Sequence, residues 1–373
     1  MKILLFFTYN TSLLDWEIAG FIQREAIYIN KLVKEKNCKI TLFTYGDERD
    51  VDIAKKYFDC EVIPIYKYKK KFKNKYLNFL NSILFPIFLI NHASKYDILK
   101  TNQLNGSWVP LLTSLITKKP LVTRAGYDIY SFKNNENKSY FVRKFYYILT
   151  KFNLKVSKIY FSTSLVDIHK LSNFFPDYKH KIIHLPNWVV DIKDNPNKCK
   201  GFSIVSIGRL EKQKNYQALI ESLNGSNYEL NLIGDGSLKN FLINLGIEKN
   251  LKIKFLGTFQ FSELMEILTK MKIYISSSTY EGNPKSVLEA MNSGCVVLAN
   301  DNENIREILE NGKTGIIYNI EKDNLIEILN KLYLNPDLIK KLSNNAFNYV
   351  QRNNSISKII KKEFELYEQI INR

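Results

Sequence analysis

At 373 residues the chain is too long for one ordinary core and long enough for two domains of comparable size. Its 45% hydrophobic and 24% charged residues exclude a disordered chain. Of the net charge of +17, residues 1–200 hold +16 and residues 201–373 only +1. A drift towards lysine would produce such a half; so would a lobe that meets a polyanion or an anionic membrane while the other lobe handles something small. Four scattered cysteines, Cys38, Cys60, Cys199 and Cys295, form no C-x-x-C pair, so they imply neither a disulfide framework nor a zinc site and fit a reducing cytoplasm.

The opening run "MKILLFFTYN" stops at polar residues too soon for a signal peptide and reads as a first buried strand. "KITLFTY", "DILKT", "PLVTRAG", "KIYFST" and "KIIHLP" read as further strands, with "GFIQREAIYINKLVKEK" an amphipathic helix between the first two. Alternation of this kind predicts a mostly parallel sheet with helices on both faces. Asp50-Val51-Asp52 reads as surface charge in a loop rather than as a metal site. "YKYKKKFKNK" from Tyr66 alternates lysines with aromatics ahead of the apolar stretch Tyr76 to Ile90, which carries Pro86 and falls short of the ~20 residues needed to span a bilayer. Two readings stand for residues 66–90: a core helix behind a solvated basic lead-in, or a basic amphipathic surface lying on anionic lipid.

"PNWVVDIKDNPNKCKG" lacks periodicity and predicts a linker at 188–201, between an N-terminal domain of residues 1–187 and a C-terminal domain of residues 202–354. A second βα series follows: "FSIVSIG", "YELNLIG", "LKIKFLG", "KIYISSS" and "CVVLAN", with helical patterns such as "NYQALIESL" and "SELMEILTKM" between them. Two helices close the chain, the last from Ser355, expected to pack back on the N-terminal domain.

Ligands of doubly wound sheets bind outside the carboxyl ends of the strands, so the loops of the second series matter most. In "GRLEKQKN", Gly208 permits a sharp exit and Arg209 and Lys214 lie beside a helix start, either as a diphosphate site or as an exposed loop pair. In "GDGSL", Gly234 and Gly236 flank Asp235 and allow close approach to a ligand, with Ser237 a helix cap. "SSTYEGNPKSVLEAMNSG" predicts a loop from Ser278 to Gly282, Asn283 as N-cap, Pro284 at the first helical position and Gly294 past the helix end. The N–H groups near Lys285, Ser286 and Val287 then offer an anion site. Glu281 in the loop and Glu289 in the second turn suit the acceptance of hydroxyl groups, one from a sugar and one from a ribose, which points to a nucleotide sugar. A loop carboxylate and a glutamate favoured by the helix dipole would account for either alone.

These segments and their order resemble the C-terminal lobe of retaining GT-B glycosyltransferases of the family-4 type, with the E-x7-E pattern on Glu281 and Glu289. The resemblance implies two Rossmann-like domains facing across a cleft. It implies a diphosphate held by Arg209 and Lys214, a ribose held by Glu289, a donor sugar met by Glu281 and the Gly282 to Lys285 backbone, and no metal. The implied activity moves a hexose-type unit from a UDP-sugar, before a GDP-sugar, to a lipid-linked or surface-polysaccharide acceptor at the inner face of the membrane. Arg124, Tyr127 and Asp128 occupy the acceptor-side region, and no nucleic acid is expected. The competing readings are a nucleotide-sugar epimerase or sugar phosphorylase of the same fold, and a basic module that binds membrane or nucleic acid.

Overall fold

A computed structural model describes residues 1–198 and 201–372; Cys199, Lys200 and Arg373 lie outside the described residues. Contacts divide the chain into two units, Met1–Leu185 with Ile360–Arg373, and Pro186–Ile359. The division thus falls just ahead of the segment expected as a linker. Its described residues pack within the second unit: Val189 bridges to Ser355, and the Asn197 amide donates to the Met271 carbonyl at 2.9 Å.

The first unit holds seven parallel strands, β1 (Lys2–Phe6), β2 (Lys39–Thr44), β3 (Glu61–Pro64), β4 (Ile98–Thr101), β5 (Leu121–Ala125), β6 (Ile159–Ser162) and β7 (Ile182–His184). Their order is β3-β2-β1-β4-β5-β6-β7, which reverses between β1 and β4. In β1 and β2 only the leading lysine is exposed, the continuous apolar pattern of a sheet covered on both faces. β3 has no counterpart among the predicted strands. It is a four-residue edge strand ending in proline, too short for alternation to show.

Local chemistry sets the helices. Ile22–Lys36 ends at Asn37, whose left-handed φ of 48° breaks it. A short helix at Leu13–Ile18, unforeseen in the sequence, starts with a Ser12/Asp15 capping box. Asp50 corrects the reading of it as surface charge. It lies in the helix Arg49–Tyr57, is 1% exposed, and accepts the N–H groups of Leu13 and Leu14 and the Thr44 hydroxyl. Burial pushes its carboxyl above the usual range even though those donors favour the charged form.

The apolar stretch after Lys75 forms two helices, α1 (Lys75–Ile83) and α2 (Phe85–Ala93), the second with Pro86 in its first turn, where a missing N–H costs nothing. α3 spans Tyr140–Val156. Among the described residues no helix is long and apolar enough to cross a membrane.

The second unit holds six parallel strands, β8 (Ile204–Ile207), β9 (Glu229–Ile233), β10 (Lys252–Gly257), β11 (Ile273–Ser276), β12 (Val296–Asn300) and β13 (Ile316–Tyr318), ordered β10-β9-β8-β11-β12-β13. β13, three residues long, has no counterpart among the expected strands. The order reverses between β8 and β11, so the loops leaving those two strands flank the crevice where such sheets take ligands. α4 (Lys285–Asn292) follows β11 and buries Val287, Leu288, Ala290 and Met291 in the core. α5 (Ile356–Ile371) gives its residues from Ile360 onward to the first unit.

There α5 is fastened by a buried polar cluster. Glu363 is fully buried and accepts from the Lys100 ammonium at 2.5 Å, from the Tyr367 hydroxyl at 2.5 Å and from the Tyr28 hydroxyl. Burial opposes ionisation of Glu363, but the charges of Lys100 and Arg124 and the donated hydrogen bonds outweigh it and hold the carboxyl below its ordinary value.

Candidate functional site

The loops after β8 and β11 are knitted together in the second unit. The Ser277 hydroxyl donates to the Lys214 carbonyl at 2.6 Å, the Thr279 N–H to the Gln213 carbonyl at 3.0 Å, and the Gln213 amide to the Tyr280 carbonyl at 2.8 Å. This frame delivers Lys214 Nζ to within 2.5 Å of Glu281 Oε1, with both side chains largely buried. An ammonium has three donors, so Lys214 can hold Glu281 and still reach phosphate oxygens.

Arg209 leaves the same β8 loop, is exposed, and makes no ion pair among the described residues. Its charge helps hold Glu211 below the ordinary carboxylate range, after the larger effect of the Ser237 N–H and hydroxyl that Glu211 accepts at 2.9 and 2.8 Å. Ser237 is therefore a partner of Glu211 and not the expected cap: the next helix begins at Lys239 with Leu238 preceding it. Asp235 is exposed and turned to its own loop, accepting the Gly236 N–H at 2.7 Å.

Gly208 and Gly234 let the β8 and β9 loops touch. A Cβ on Gly234, whose φ is 135°, would fall 2.0 Å from the Gly208 carbonyl oxygen.

α4 begins one residue later than the sequence implied, with Pro284 in the capping position and no side-chain cap. Asn283 is not its N-cap. Its side-chain oxygen accepts the Asn187 N–H at 2.9 Å, and its carbonyl accepts the Asn187 side-chain amide at 2.6 Å. Ser286 Oγ accepts the hydroxyl of Tyr274 at 2.9 Å, which burial keeps protonated well above its usual range. The Val287 side chain is in the core, so only its backbone could meet a ligand. The first turn of any helix leaves N–H groups without intrahelical acceptors, and those of Ser286 and Val287 lie here. Gly282 is buried in the loop beside Glu281, and Glu289 is 4% exposed on α4.

Residues 190–349 match the family model for glycosyl transferases group 1. The chain has the GT-B fold. Against Anabaena Alr3699/HepE in complex with UDP-glucose the GT-B chain has a TM-score of 0.77 at 17% identity, covering 99% of this chain and 100% of that one. Against sucrose-phosphate synthase of Thermosynechococcus elongatus the score is 0.78 at 15% identity, covering 100% and 99%. At these identities the likeness is one of fold. Among curated relatives, the UDP-Gal:alpha-D-GlcNAc-diphosphoundecaprenol alpha-1,3-galactosyltransferase of Escherichia coli is 24% identical over 78% of this chain and 80% of its own. The N-acetylgalactosamine-N,N'-diacetylbacillosaminyl-diphospho-undecaprenol 4-alpha-N-acetylgalactosaminyltransferase of Campylobacter jejuni is 28% identical over 38% of this chain, and the match spans only 40% of that relative's length.

The matched segment contains Arg209, Lys214, Glu281 and Glu289, whereas Arg124, Tyr127 and Asp128, expected on the acceptor side, lie in the first unit. Asp128 is buried there as the N-cap of the helix Ile129–Asn135, accepting from the Tyr130 N–H at 3.1 Å and from the Ser131 hydroxyl, which gives it a structural task. Arg124 lends its charge to Glu363. Tyr127 alone of the three lines a cavity of about 130 Å³ at the ends of β1, β4 and β5, with Asn105, Lys133 and Tyr146. Gln213, Ser277 and Glu211, which fix the loops, were not singled out in the sequence. Nothing in their spacing marks them, because their partners are distant along the chain.

Proposed function

We propose that this chain is a retaining glycosyltransferase that moves a hexose-type unit from a nucleoside diphosphate sugar, UDP before GDP, to a lipid-linked or surface-polysaccharide acceptor. The observation that carries the reading is the Lys214–Glu281 pair set beside the exposed Arg209, on the two loops that flank the strand-order reversal. In the transfer, the bond from the anomeric carbon to the diphosphate oxygen breaks with its electrons going to the diphosphate. An acceptor hydroxyl forms the new bond to the anomeric carbon and passes its proton to the departing diphosphate. Arg209 and Lys214 stabilise the charge that grows on the leaving diphosphate, and the α4 N-terminus adds to the field. With two cations so placed, no metal is needed to neutralise it. Glu281 accepts from sugar hydroxyls and Glu289 from the ribose.

Two kinds of comparison support the choice of substrates. Solved proteins of this fold hold UDP and UDP-glucose, and the Escherichia coli relative is described by a UDP-galactose donor and a diphosphoundecaprenol-linked acceptor. The basic first half fits a chain that works at an anionic membrane surface on the cytoplasmic side.

The test is thermal stabilisation by UDP, GDP, ADP and CMP, followed by turnover of the matching nucleotide sugars with polyprenyl-diphosphate-linked saccharides. A shift with one nucleotide and release of that nucleotide only when acceptor is present is the expected result. Product formed without acceptor would favour the epimerase reading, and no shift with any nucleotide would remove the proposal.

A further inference from the structure

The first unit has a second cavity, of about 420 Å³, that the donor site does not use. It opens where the loop after β1, with Tyr9 and Asn10, meets the basic segment before α1, and Lys71, Lys73 and Lys75 all line it. No acidic residue lines it, and none of the three lysines forms an ion pair within the described residues. Asp47, whose carboxyl is held below its ordinary value mainly by Arg49 and slightly by Lys71, is gripped in a fork by Arg49 at 2.9 and 2.7 Å.

The lysines do not hang from a loose loop. Asn78, buried on α1, clamps it by accepting the Phe72 N–H at 2.6 Å and donating to the Phe72 carbonyl at 2.5 Å, and the Asn81 amide donates to the Lys70 carbonyl at 3.2 Å. Three like charges held round one opening repel each other unless an anion joins them, and lysine ammoniums bind phosphate as point charges. Next to this opening the chain exposes large apolar side chains that a soluble surface has no use for: Leu77, Leu80, Leu84 and Ile87 on or beside α1 and α2 are 49%, 58%, 58% and 63% exposed. α3 extends this surface with Phe141, 81% exposed, and joins it through Phe145, whose ring lies 6.1 Å from that of Phe79.

We propose that the Lys71/Lys73/Lys75 cavity takes the diphosphate of a membrane-embedded, lipid-linked substrate, while the adjoining edge of α1 and α2 sits in the acyl boundary of the bilayer. A basic cluster beside an apolar edge supplies the two signals that stable attachment to a membrane requires. The proposal rests on the reading of the chain as a transferase with a lipid-linked acceptor. It adds where the head group of that acceptor is held, a position in the first unit distinct from the donor loops.

The experiment measures binding of the full chain to phosphatidylcholine vesicles carrying a small fraction of polyprenyl diphosphate, to charge-matched vesicles carrying phosphatidylglycerol, and to free inorganic pyrophosphate. Two triple variants are compared, Lys71→Ser/Lys73→Ser/Lys75→Ser in the cavity and Lys67→Ser/Lys69→Ser/Lys70→Ser outside its lining. The expected result is tighter binding to polyprenyl diphosphate vesicles than to charge-matched ones, weakened at least roughly tenfold by the cavity variant and clearly less by the other. Equal loss from both variants, equal binding to both anionic vesicles, or binding of free pyrophosphate as tight as of the vesicles would overturn it. Thermal stabilisation by UDP, which reports on the second unit, serves as the fold control. If UDP gives no shift while the vesicle pattern holds, the donor reading falls and the docking site stands.

Discussion

Lys214 and Glu281 are 67 positions apart in the chain, yet Nζ and Oε1 meet at 2.5 Å in a largely buried pair. Breaking such a pair leaves a buried charge uncompensated, so the two residues act as a unit. Glu281→Gln keeps the size and removes the charge. Turnover is expected to fall by roughly 100-fold or more, on the scale of losing a group that acts on developing charge. Stabilisation by UDP should survive. Combining it with Lys214→Met should cost much less than the sum of the single losses, and additive losses would show the pair to be uncoupled.

Arg209 is exposed and makes no ion pair among the described residues, so its removal should leave the stability of the free protein unchanged. Arg209→Ala is expected to weaken UDP binding roughly 10- to 100-fold by calorimetry, the worth of one or two hydrogen bonds to a charged group. Arg209→Lys should recover only part of this, because a point charge lacks the fork that grips two phosphate oxygens.

Gly234 is required by contact as well as by backbone angle. With its would-be Cβ 2.0 Å from the Gly208 carbonyl oxygen, Gly234→Ala must part the β8 and β9 loops, at a cost of about 1–3 kcal/mol or more. A melting temperature several degrees lower and a lost UDP shift are expected. Gly201→Ala, where a methyl group meets nothing within 4 Å, should leave both unchanged.

Glu363 fastens α5 to the first unit. Glu363→Ala leaves the Lys100 ammonium buried without its carboxylate and should destabilise the protein by about 3–5 kcal/mol, while Lys100→Met/Glu363→Leu should restore most of the loss. The pH dependence follows from the depressed carboxyl. A group whose folded value lies below its unfolded value of about 4.3 contributes stability that is present above that value and is lost as pH falls through the folded one. The denaturant midpoint of the wild type should therefore drop in acid below about pH 4, and that of the double variant should drop less.

Much of this fold is legible along the chain. Strands covered on both faces read as continuous apolar runs, and the long helices repeat every three to four residues, so eleven of the thirteen strands among the described residues stand out. The two that do not, β3 and β13, are edge strands of four and three residues. Helix starts are less legible. Asn283 and Ser237 are both good capping residues by type, but one was taken by Asn187 and the other by Glu211, and a side chain has only one place to go.

What the sequence by itself determined is the alternation of strand and helix, the lobe in which the basic charge lies, and the two loops that carry Arg209, Lys214 and Glu281. These are local properties, written in composition and period. Tertiary structure alone decided that Lys214 pairs with Glu281, that Asp50 reaches the N–H groups of Leu13 and Leu14, that Glu363 meets Lys100, and that the lysine segment meets the loop of Tyr9 and Asn10 round one cavity. Each is a contact between segments far apart in the chain. It depends on strand order and on the few tenths of an ångström that decide a hydrogen bond, and neither leaves a periodic trace in the sequence.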